Sequence, residues 1–269
     1  MPELPEVETI ARGLHKRLAG DTITSVWLGR KTNLLLSPAR EIVRVLEGAG
    51  IARVRRVGKH IVASLTRPEG EAEWIIHLGM TGRMLVCRPD EEHAKHTHLI
   101  ATLGSGRELR FIDPRRFGKL RVLAGGGFAA PGEEPIAADR EKFVALFRHR
   151  KTPIKSALLN QKLLSGIGNI YADESLFRAG VRPRRRAASL TRAALLTLYD
   201  GIQQVLAEAI AAGGSSVNDY VDAAGDEGFF QLEHRVYQRT GEPCLVCRTA
   251  IKRVVIAGRS SHYCPRCQR

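Results

Sequence analysis

The sequence predicts an α+β protein of two domains, a β-rich one followed by a helical one that ends in a metal-bound hairpin. Three observations support this class. The chain has 269 residues, which is more than most single hydrophobic cores hold. Short β-branched runs fill its first half, and helical periodicity replaces them in the second half. Four cysteines near the end of the chain are spaced as two pairs.

The first domain is predicted to span residues 1–124. A helix opens it over residues 3–18, where apolar side chains recur on one face. Strand-like runs follow, separated by Gly, Pro and charged turns. They are Ile23–Leu28, His60–Leu65, Trp74–Leu78, Met84–Cys87, His98–Leu103, Glu108–Ile112 and Leu120–Leu123. Such a series of short strands is typical of a sandwich or a barrel.

A linker rich in Gly, Ala and Pro is predicted at 125–138, and a helical domain at 139–243. The predicted helices are Asp139–Arg148, Pro153–Gln161, Asn169–Ala179 and Thr191–Ala212. Residues 213–231 form a polar, glycine-containing loop. Residues 244–269 are predicted to form a zinc finger.

The zinc finger is predicted from the cysteine spacing. Cys244 and Cys247 are two residues apart, sixteen residues follow, and Cys264 and Cys267 repeat the pair. Four thiolates leave no open coordination position, so one structural Zn²⁺ is expected. A 26-residue segment cannot bury a core of its own, and a metal replaces that core. The alternative is two redox-active pairs, which a basic, arginine-rich segment does not favour.

The charge of the chain points to a polyanionic partner. There are 42 Lys and Arg against 28 Asp and Glu, a net charge of +14. The excess lies in clusters along the whole chain, which suits a groove that follows a phosphate backbone. An ordinary basic enzyme is the alternative. The sequence has no long apolar run, no secretory signal and too few cysteines for a disulfide scaffold, so we expect a cytoplasmic protein without a membrane partner.

The chain opens with Pro2, Glu3 and Glu6, which allow two interpretations. Proline and carboxylates are typical of the first turn of a helix. Alternatively, removal of Met1 gives Pro2 a free secondary amine. An α-amine titrates near pH 8, well below a lysine, so it could attack a sugar carbon and form an iminium. Glu3 could then transfer protons.

Several motifs resemble the bacterial formamidopyrimidine-DNA glycosylase family, also called 8-oxoguanine DNA glycosylases. The resemblance runs from the opening Met-Pro-Glu-Leu-Pro-Glu-Val-Glu-Thr to the cysteine quartet. Between them lie Gly-Lys-His at 58–60, His-Leu-Gly-Met-Thr-Gly at 77–82, Asp-Pro-Arg-Arg-Phe-Gly at 113–118, and Gly-Ile-Gly-Asn-Ile-Tyr-Ala at 166–172. The resemblance implies a two-sheet β-sandwich behind the N-terminal helix and a helix–two-turn–helix module in the second domain.

The resemblance also implies catalytic roles. Pro2 matches the nucleophile that displaces the damaged base from C1′ and forms a Schiff base, Glu3 the general acid/base, and Glu6 a supporting residue. Lys59 matches the lysine of β-elimination. Arg259, at the tip of the zinc hairpin, matches the arginine of δ-elimination.

Further positions match residues of the family that contact DNA. Met80, Arg115 and Phe117 match the side chains that fill the gap left by a flipped nucleotide. The remaining positions expected to contact DNA are His96, Arg150, Lys155, Gly168 and Asn169. Gly168 and Asn169 open a predicted helix, whose N–H groups can hold a phosphate.

The function implied is base-excision repair by a bifunctional glycosylase/AP lyase that removes oxidised purines from duplex DNA. We expect a monomer in the bacterial cytoplasm, at the nucleoid. Two alternatives are the sister activity on oxidised pyrimidines and a non-catalytic protein that binds damaged DNA. Leu4 favours the purine enzyme, since the sister family has Gly there. The chain departs from the family at Gln238, where Gly is usual, and at 215–218, where Ser-Ser-Val-Asn replaces Thr-Thr-Leu-Arg.

Overall fold

The computed structural model describes residues 1–216 and 220–269 and confirms the predicted α+β class. The chain divides into two compact units. The first comprises Met1–Ala129 together with Ala212–Phe229, and the second Ala130–Ala211 together with Phe230–Arg269. Val217 and Asn218, two of the positions that depart from the family pattern, lie outside the described residues.

The first unit contains two α-helices and eight strands among its described residues. The helices are α1 (Leu4–Leu18) and α2 (Ala39–Leu46). The strands are β1 (Ile23–Leu28), β2 (Gly50–Val57), β3 (His60–Thr66), β4 (Ala72–His77), β5 (Arg83–Cys87), β6 (Thr97–Leu103), β7 (Glu108–Ile112) and β8 (Lys119–Ala124).

These strands form two antiparallel sheets of four strands each, in the orders β1-β6-β7-β5 and β2-β3-β4-β8. Both sheets contribute to one hydrophobic core, as Phe111 of β7 and Trp74 of β4 show, and neither side chain is exposed. Helix α1 packs into the same core through side chains such as Val7, Ile10 and Leu14. The predicted β-rich domain is therefore a sandwich rather than a barrel.

Two elements of this unit were not predicted. Helix α2 buries Ile42, Val45 and Leu46, a pattern that the i, i+3, i+4 rule could have identified. Strand β2 carries a basic cluster that includes Arg53 and Arg55, and these arginines concealed its buried apolar positions.

The second unit is helical and ends in a two-stranded hairpin. Its helices are α3 (Arg140–Phe147), α4 (Ile154–Leu158), α5 (Asn169–Arg178) and α6 (Arg192–Ala211), and its strands are β9 (Lys252–Ile256) and β10 (Arg259–Tyr263). Asp139 caps α3, since its carboxylate accepts hydrogen bonds from two backbone N–H groups of the first turn. In the described part of the chain, the model has no helix that is both long and apolar enough to cross a membrane.

The predicted boundaries place the segment 212–229 in the helical domain. In the structure this segment groups with the first unit: Ser215 N donates to Glu6 Oε1 over 2.8 Å, and Tyr220 and Ala223 pack into the core of that unit. The predicted linker is divided as well. Phe128 N donates to Glu73 Oε2 of the first unit over 2.8 Å, whereas Glu133 pairs with Leu164 in the second.

His77, at the end of β4, makes the stability of the first unit depend on pH. Its Nδ1 accepts a hydrogen bond from Gly79 N over 3.1 Å, and burial lowers its pKa to about 4, with the nearby His60 and Lys59 acting in the same direction. The unfolded chain keeps a histidine pKa near 6.5. It therefore binds more protons between these values, and stability rises with pH there.

We accordingly expect the urea midpoint to fall as the pH drops from 6.5 to 4. His77→Asn keeps an acceptor for Gly79 but cannot titrate, so it should flatten the dependence by up to about 1.4 kcal/mol per pH unit. An unchanged slope in this variant would show that His77 is not the group that titrates. The comparison is made by urea denaturation at matched pH values.

Candidate functional site

The start of helix α1 is built around two buried carboxylates. Glu3 is the N-cap residue and Glu6 stands three positions later, where they form a reciprocal capping box. The Glu3 side chain accepts from the backbone of Glu6, and Glu3 N donates to Glu6 Oε2 over 2.8 Å. Both residues are at most 4 % exposed. The helix-start interpretation of this segment and the catalytic one are therefore compatible.

The second oxygen of Glu6 holds the segment 212–229. Its Oε1 accepts from Ser215 N over 2.8 Å. Gly214 has a φ of +85°, and a Cβ there would lie 3.0 Å from the same oxygen, so only glycine fits this approach. Tyr220 closes the segment by donating its hydroxyl to Gly213 O over 2.9 Å. Burial raises the pKa of Tyr220, so its phenol stays protonated and remains a donor.

Lys59 lies in the two-residue turn between β2 and β3 and is 7 % exposed. Gly58, with a φ of +57°, makes this tight turn possible. Arg56 fixes the turn to helix α1, since it donates to Gly58 O over 3.0 Å and to Glu8 Oε2 over 2.8 Å. One arginine thus sets the position of Lys59 relative to the helix that carries Glu3.

The α-amine of the chain lies within this cluster. Burial lowers the pKa of the Met1 amine, Glu3 and Glu6 act in the opposite direction, and Lys59 and Arg115 lower it further. The pKa of this amine is thus below its usual value near 8. Met1 is half exposed and Pro2 is buried. The structure therefore brings four predicted residues around the chain start: Glu3, Glu6, Lys59 and Arg115.

The three residues predicted to fill a gap in DNA stand on the surface of the first unit. Met80 is 43 % exposed and Phe117 is 49 % exposed, so neither belongs to the core. The Arg115 guanidinium lies over the Phe117 ring, 4.8 Å from its centroid. His96 is half-buried, and its carbonyl accepts from Asp113 N over 3.0 Å.

A polar groove of about 410 Å³ occurs in the second unit. It brings together Asn169, at the start of α5, and the exposed Arg259 on the zinc hairpin, with Gly168 as the N-cap of the helix. Asn169 Oδ1 is buried and has no hydrogen-bond partner among the described residues. Residues that the sequence did not single out also line the groove, namely Tyr237, Arg253 and His262. Gln238, which the sequence noted only as a departure from the family, lines it too.

Two other predicted DNA contacts differ in their exposure. Arg150 is exposed, and its Nε donates to Leu146 O over 2.7 Å. Lys155 is only 1 % exposed and forms an ion pair with Asp173 Oδ1 at 2.7 Å. Its Nζ also donates to Ser260 O of β10 over 2.6 Å. The buried ammonium attaches α4 to β10, and the predicted DNA contact of Lys155 stays a prediction.

Asp173 and Glu174 extend this buried network. Asp173 Oδ2 accepts from His262 N over 2.9 Å, which attaches β10 to helix α5. The Glu174 carboxylate accepts three backbone N–H bonds from residues 235–237, at 2.8 to 3.0 Å. Burial raises the pKa of Glu174, and the N–H groups oppose that shift. Nothing in the sequence alone marked these two acids as anchors of the hairpin.

The four cysteines have the geometry of a tetrahedral site. Their sulfurs all lie within 4.8 Å of one another. Two of the distances, Cys244 to Cys267 and Cys247 to Cys264, are 3.9 and 3.4 Å. A zinc ion bonded to sulfur at 2.3 Å requires roughly 3.8 Å between neighbouring thiolates. The residues therefore fit one Zn²⁺, which would cross-link the ends of the hairpin segment.

Family models match three successive parts of the chain. They are described as "Formamidopyrimidine-DNA glycosylase N-terminal domain" over residues 1–120, "Formamidopyrimidine-DNA glycosylase H2TH domain" over 131–221, and "Zinc finger found in FPG and IleRS" over 241–269. A formamidopyrimidine-DNA glycosylase of Solibacter usitatus (strain Ellin6076) is 47 % identical over 275 residues, which cover 100 % of both chains. The chain belongs to the formamidopyrimidine-DNA glycosylase family.

Solved structures of this family share the fold. A variant of the Lactococcus lactis FPG in complex with a Fapy-dG containing DNA has a TM-score of 0.90 and 33 % identity, with 100 % of each chain covered. The Lactococcus lactis Fpg in complex with an abasic site containing DNA has a TM-score of 0.89 and 32 % identity over 99 % of each chain. The predicted family, fold, zinc finger and class of DNA-repair glycosylase are therefore confirmed.

The zinc site yields a first prediction for this unit. Cys264→Ser removes a buried thiolate, so we expect loss of zinc and disorder of the β9–β10 hairpin, because the small core around Cys244, Ile251 and Val236 depends on the metal. Zinc content and DNA affinity should fall together. Cys87→Ser, outside the quartet, is the matched control. Full zinc content in the Cys264 variant would contradict the four-thiolate assignment.

A second prediction distinguishes two roles for Lys155, a partner in a buried ion pair and a contact to a DNA phosphate. Lys155→Met leaves Asp173 without its cation and should lower the free energy of unfolding by about 3–5 kcal/mol. In the folded variant, the slope of log Kd against log salt should stay at the wild-type value. A slope reduced by about one would mean that Lys155 binds a phosphate. Lys151→Met, at an exposed position nearby, is the stability control.

Proposed function

We propose that the chain is a bifunctional DNA glycosylase/AP lyase that excises oxidised purines, such as 8-oxoguanine and formamidopyrimidines, from duplex DNA. The observation that carries this proposal is the cluster of Glu3, Glu6, Lys59 and Arg115 around the α-amine, whose pKa is lowered by burial. A lowered pKa increases the neutral, nucleophilic fraction of the amine. Acidic and basic groups beside it provide the proton transfers that excision requires.

The nucleophile in this proposal is Pro2 after removal of Met1. Removal moves the α-amine by one residue, to the ring nitrogen of Pro2, which is a non-nucleophilic amide as long as Met1 acylates it. Pro2 is buried next to Glu3, so the desolvation that lowers the pKa of the Met1 amine also acts at this position. The capping box holds the short segment before α1 in place, which orients the amine.

Excision then proceeds by displacement at the sugar. The Pro2 nitrogen forms a bond to C1′, and the bond from C1′ to the base breaks, with its electron pair and a proton going to the base. The nitrogen loses its proton and forms an iminium as the ring oxygen leaves C1′ and is protonated. Glu3 is the residue positioned to accept and return these protons, and Glu6 holds the backbone of Glu3.

Strand cleavage follows by elimination from the iminium. Loss of one sugar proton expels the 3′ phosphate, and loss of a second sugar proton then expels the 5′ phosphate, each phosphate leaving with the electron pair of its C–O bond. Lys59 is proposed for the first step and Arg259 for the second. Both are cations that stabilise a departing phosphate. A guanidinium hardly loses its proton, so Arg259 acts mainly through its charge.

The reacting nucleotide must leave the helix stack for this chemistry. Met80 and Phe117 are exposed apolar side chains that could enter the gap, and Arg115 could bond the orphaned partner base. The groove with Asn169 and Arg259, together with the exposed Arg150, provides sites for the DNA backbone. We propose that the chain acts as a monomer in the cytoplasm. Its domains, as proposed from the sequence, are 1–124, 139–243 and 244–269.

Borohydride trapping tests the proposal directly. The processed protein, with Met1 removed, should give a covalent adduct on a duplex that holds 8-oxoguanine opposite cytosine, because hydride reduces the iminium to a stable amine. Pro2→Gly and a variant that retains Met1 should give at least a hundredfold less adduct. Lys151→Met, which changes an exposed lysine of the second unit, should trap like the wild type.

The alternatives predict different outcomes. Tight binding to the lesion without any adduct would support a non-catalytic damage-binding protein. Faster trapping on a thymine-glycol duplex than on 8-oxoguanine would support the pyrimidine enzyme. The purine substrate is favoured at the sequence level by Leu4, which replaces the Gly of the sister family.

A further inference from the structure

The turn at 78–82 and the loop at 113–118 are joined by one buried carboxylate. Asp113 is completely buried. Its Oδ1 accepts from the Thr81 hydroxyl over 2.6 Å and from Arg115 N over 3.2 Å, and its Oδ2 accepts from Gly118 N over 2.8 Å. Arg115 N also lies 3.3 Å from Thr81 Oγ1. A single side chain therefore binds both ends of the loop and the neighbouring turn.

The two segments are also packed directly against each other. Gly79 has a φ of +65°, and a Cβ there would lie 2.5 Å from the carbonyl carbon of Phe117. A Cβ on Gly118 would lie 2.6 Å from the Phe111 ring. A side chain at Gly79 could not enter without moving backbone, and one at Gly118 would have to displace the buried Phe111 ring. The turn that carries Met80 and the loop that carries Phe117 therefore have one relative position.

Hydrogen bonds attach the backbone of Asp113 to the start of strand β6. Its N–H donates to His96 O over 3.0 Å, and its carbonyl lies 3.0 Å from His98 Nε2. His98 is buried at the start of β6. Because these bonds fix the backbone of Asp113, its carboxylate and the groups bonded to it, Thr81, Arg115 N and Gly118 N, also have fixed positions.

Arg115 itself is exposed, and its backbone N–H is held by Asp113 and Thr81. We propose that Thr81 and Asp113 are positioning residues for opposite-base recognition, which orient the Arg115 guanidinium without touching DNA. This inference rests on the proposed function of Arg115. The hydroxyl of Thr81 is central to it, because it donates to the carboxylate and can accept from Arg115 N at the same time.

The hydrogen-bond donors of the guanidinium determine which opposite base is bound more tightly. Arginine has five donors and no acceptor. An orphaned cytosine offers two acceptors on its pairing edge, whereas adenine offers one acceptor and one donor. A rigidly held Arg115 should therefore favour cytosine, and a loosely held one should lose that preference while it still attracts DNA by its charge.

The test measures binding rather than chemistry. Kd is determined for duplexes that hold a tetrahydrofuran abasic analogue opposite cytosine or opposite adenine. The preference ratio, Kd opposite adenine divided by Kd opposite cytosine, is then compared between proteins. Thr81→Val keeps the shape but removes the hydroxyl, and it should lower the ratio about tenfold, as should Arg115→Ala. The double variant should show no further loss, because both changes remove the same interaction.

Controls keep the result interpretable. Thr24→Val removes an exposed hydroxyl that donates to Thr102 O over 3.2 Å on the edge of the sheet, and it should leave the ratio unchanged. Asp113→Asn is a second variant that should also lower the ratio, and thermal melts establish that each variant is folded. The inference is overturned if Thr81→Val keeps the wild-type ratio, if it lowers the ratio equally in the Arg115→Ala background, or if the wild type shows no preference. Failure of the proposed function appears separately, as absence of trapping on 8-oxoguanine.

Discussion

The carboxylate of Glu6 binds two backbone N–H groups, those of Glu3 and Ser215, and the geometry around the chain start depends on it. Burial of a carboxylate is unfavourable unless hydrogen bonds replace its lost water. Here the two bonds satisfy the charge and at the same time fix the residue beside the amine and the segment 212–229. The amine, its neighbouring acid Glu3 and Lys59 owe their arrangement to this side chain and to the Arg56–Glu8 pair.

Three other buried carboxylates of this protein also fix a segment by accepting hydrogen bonds from backbone N–H groups. Asp113 fixes the loop that carries Arg115, Glu174 fixes residues 235–237, and Asp173 fixes the hairpin that carries Arg259. Charge-assisted bonds from N–H groups to a carboxylate are about twice as strong as neutral ones. Loops held in this way can present exposed, strongly hydrated side chains from a rigid backbone, which catalysis and recognition both require.

Much of the fold could be predicted because its main determinants are local. Alternating and helical periodicities identified most strands and helices, and the cysteine spacing identified the metal site. Strand β2 was not predicted because its arginines obscure the alternation of buried apolar and exposed polar residues. The assignment of 212–229 to the first unit depends on a bond between residues 209 positions apart in sequence, which no local pattern encodes. The burial of Lys155 could not be predicted for a similar reason, since its partners Asp173 and Ser260 are distant in sequence and a lysine ordinarily indicates surface.

Gly214 and Gly228 bring the two ends of the segment 213–228 into direct backbone contact, since a Cβ on Gly228 would lie 2.4 Å from Gly214 O. Two hydroxyls support that closure, since Ser216 Oγ accepts from Gly228 N over 2.9 Å and Tyr220 donates to Gly213 O over 2.9 Å. The entropy of closing such a segment changes only slowly with its length. A change in the length of this segment that keeps the two glycines, Ser216 and Tyr220 should therefore leave the anchor at Glu6 in place.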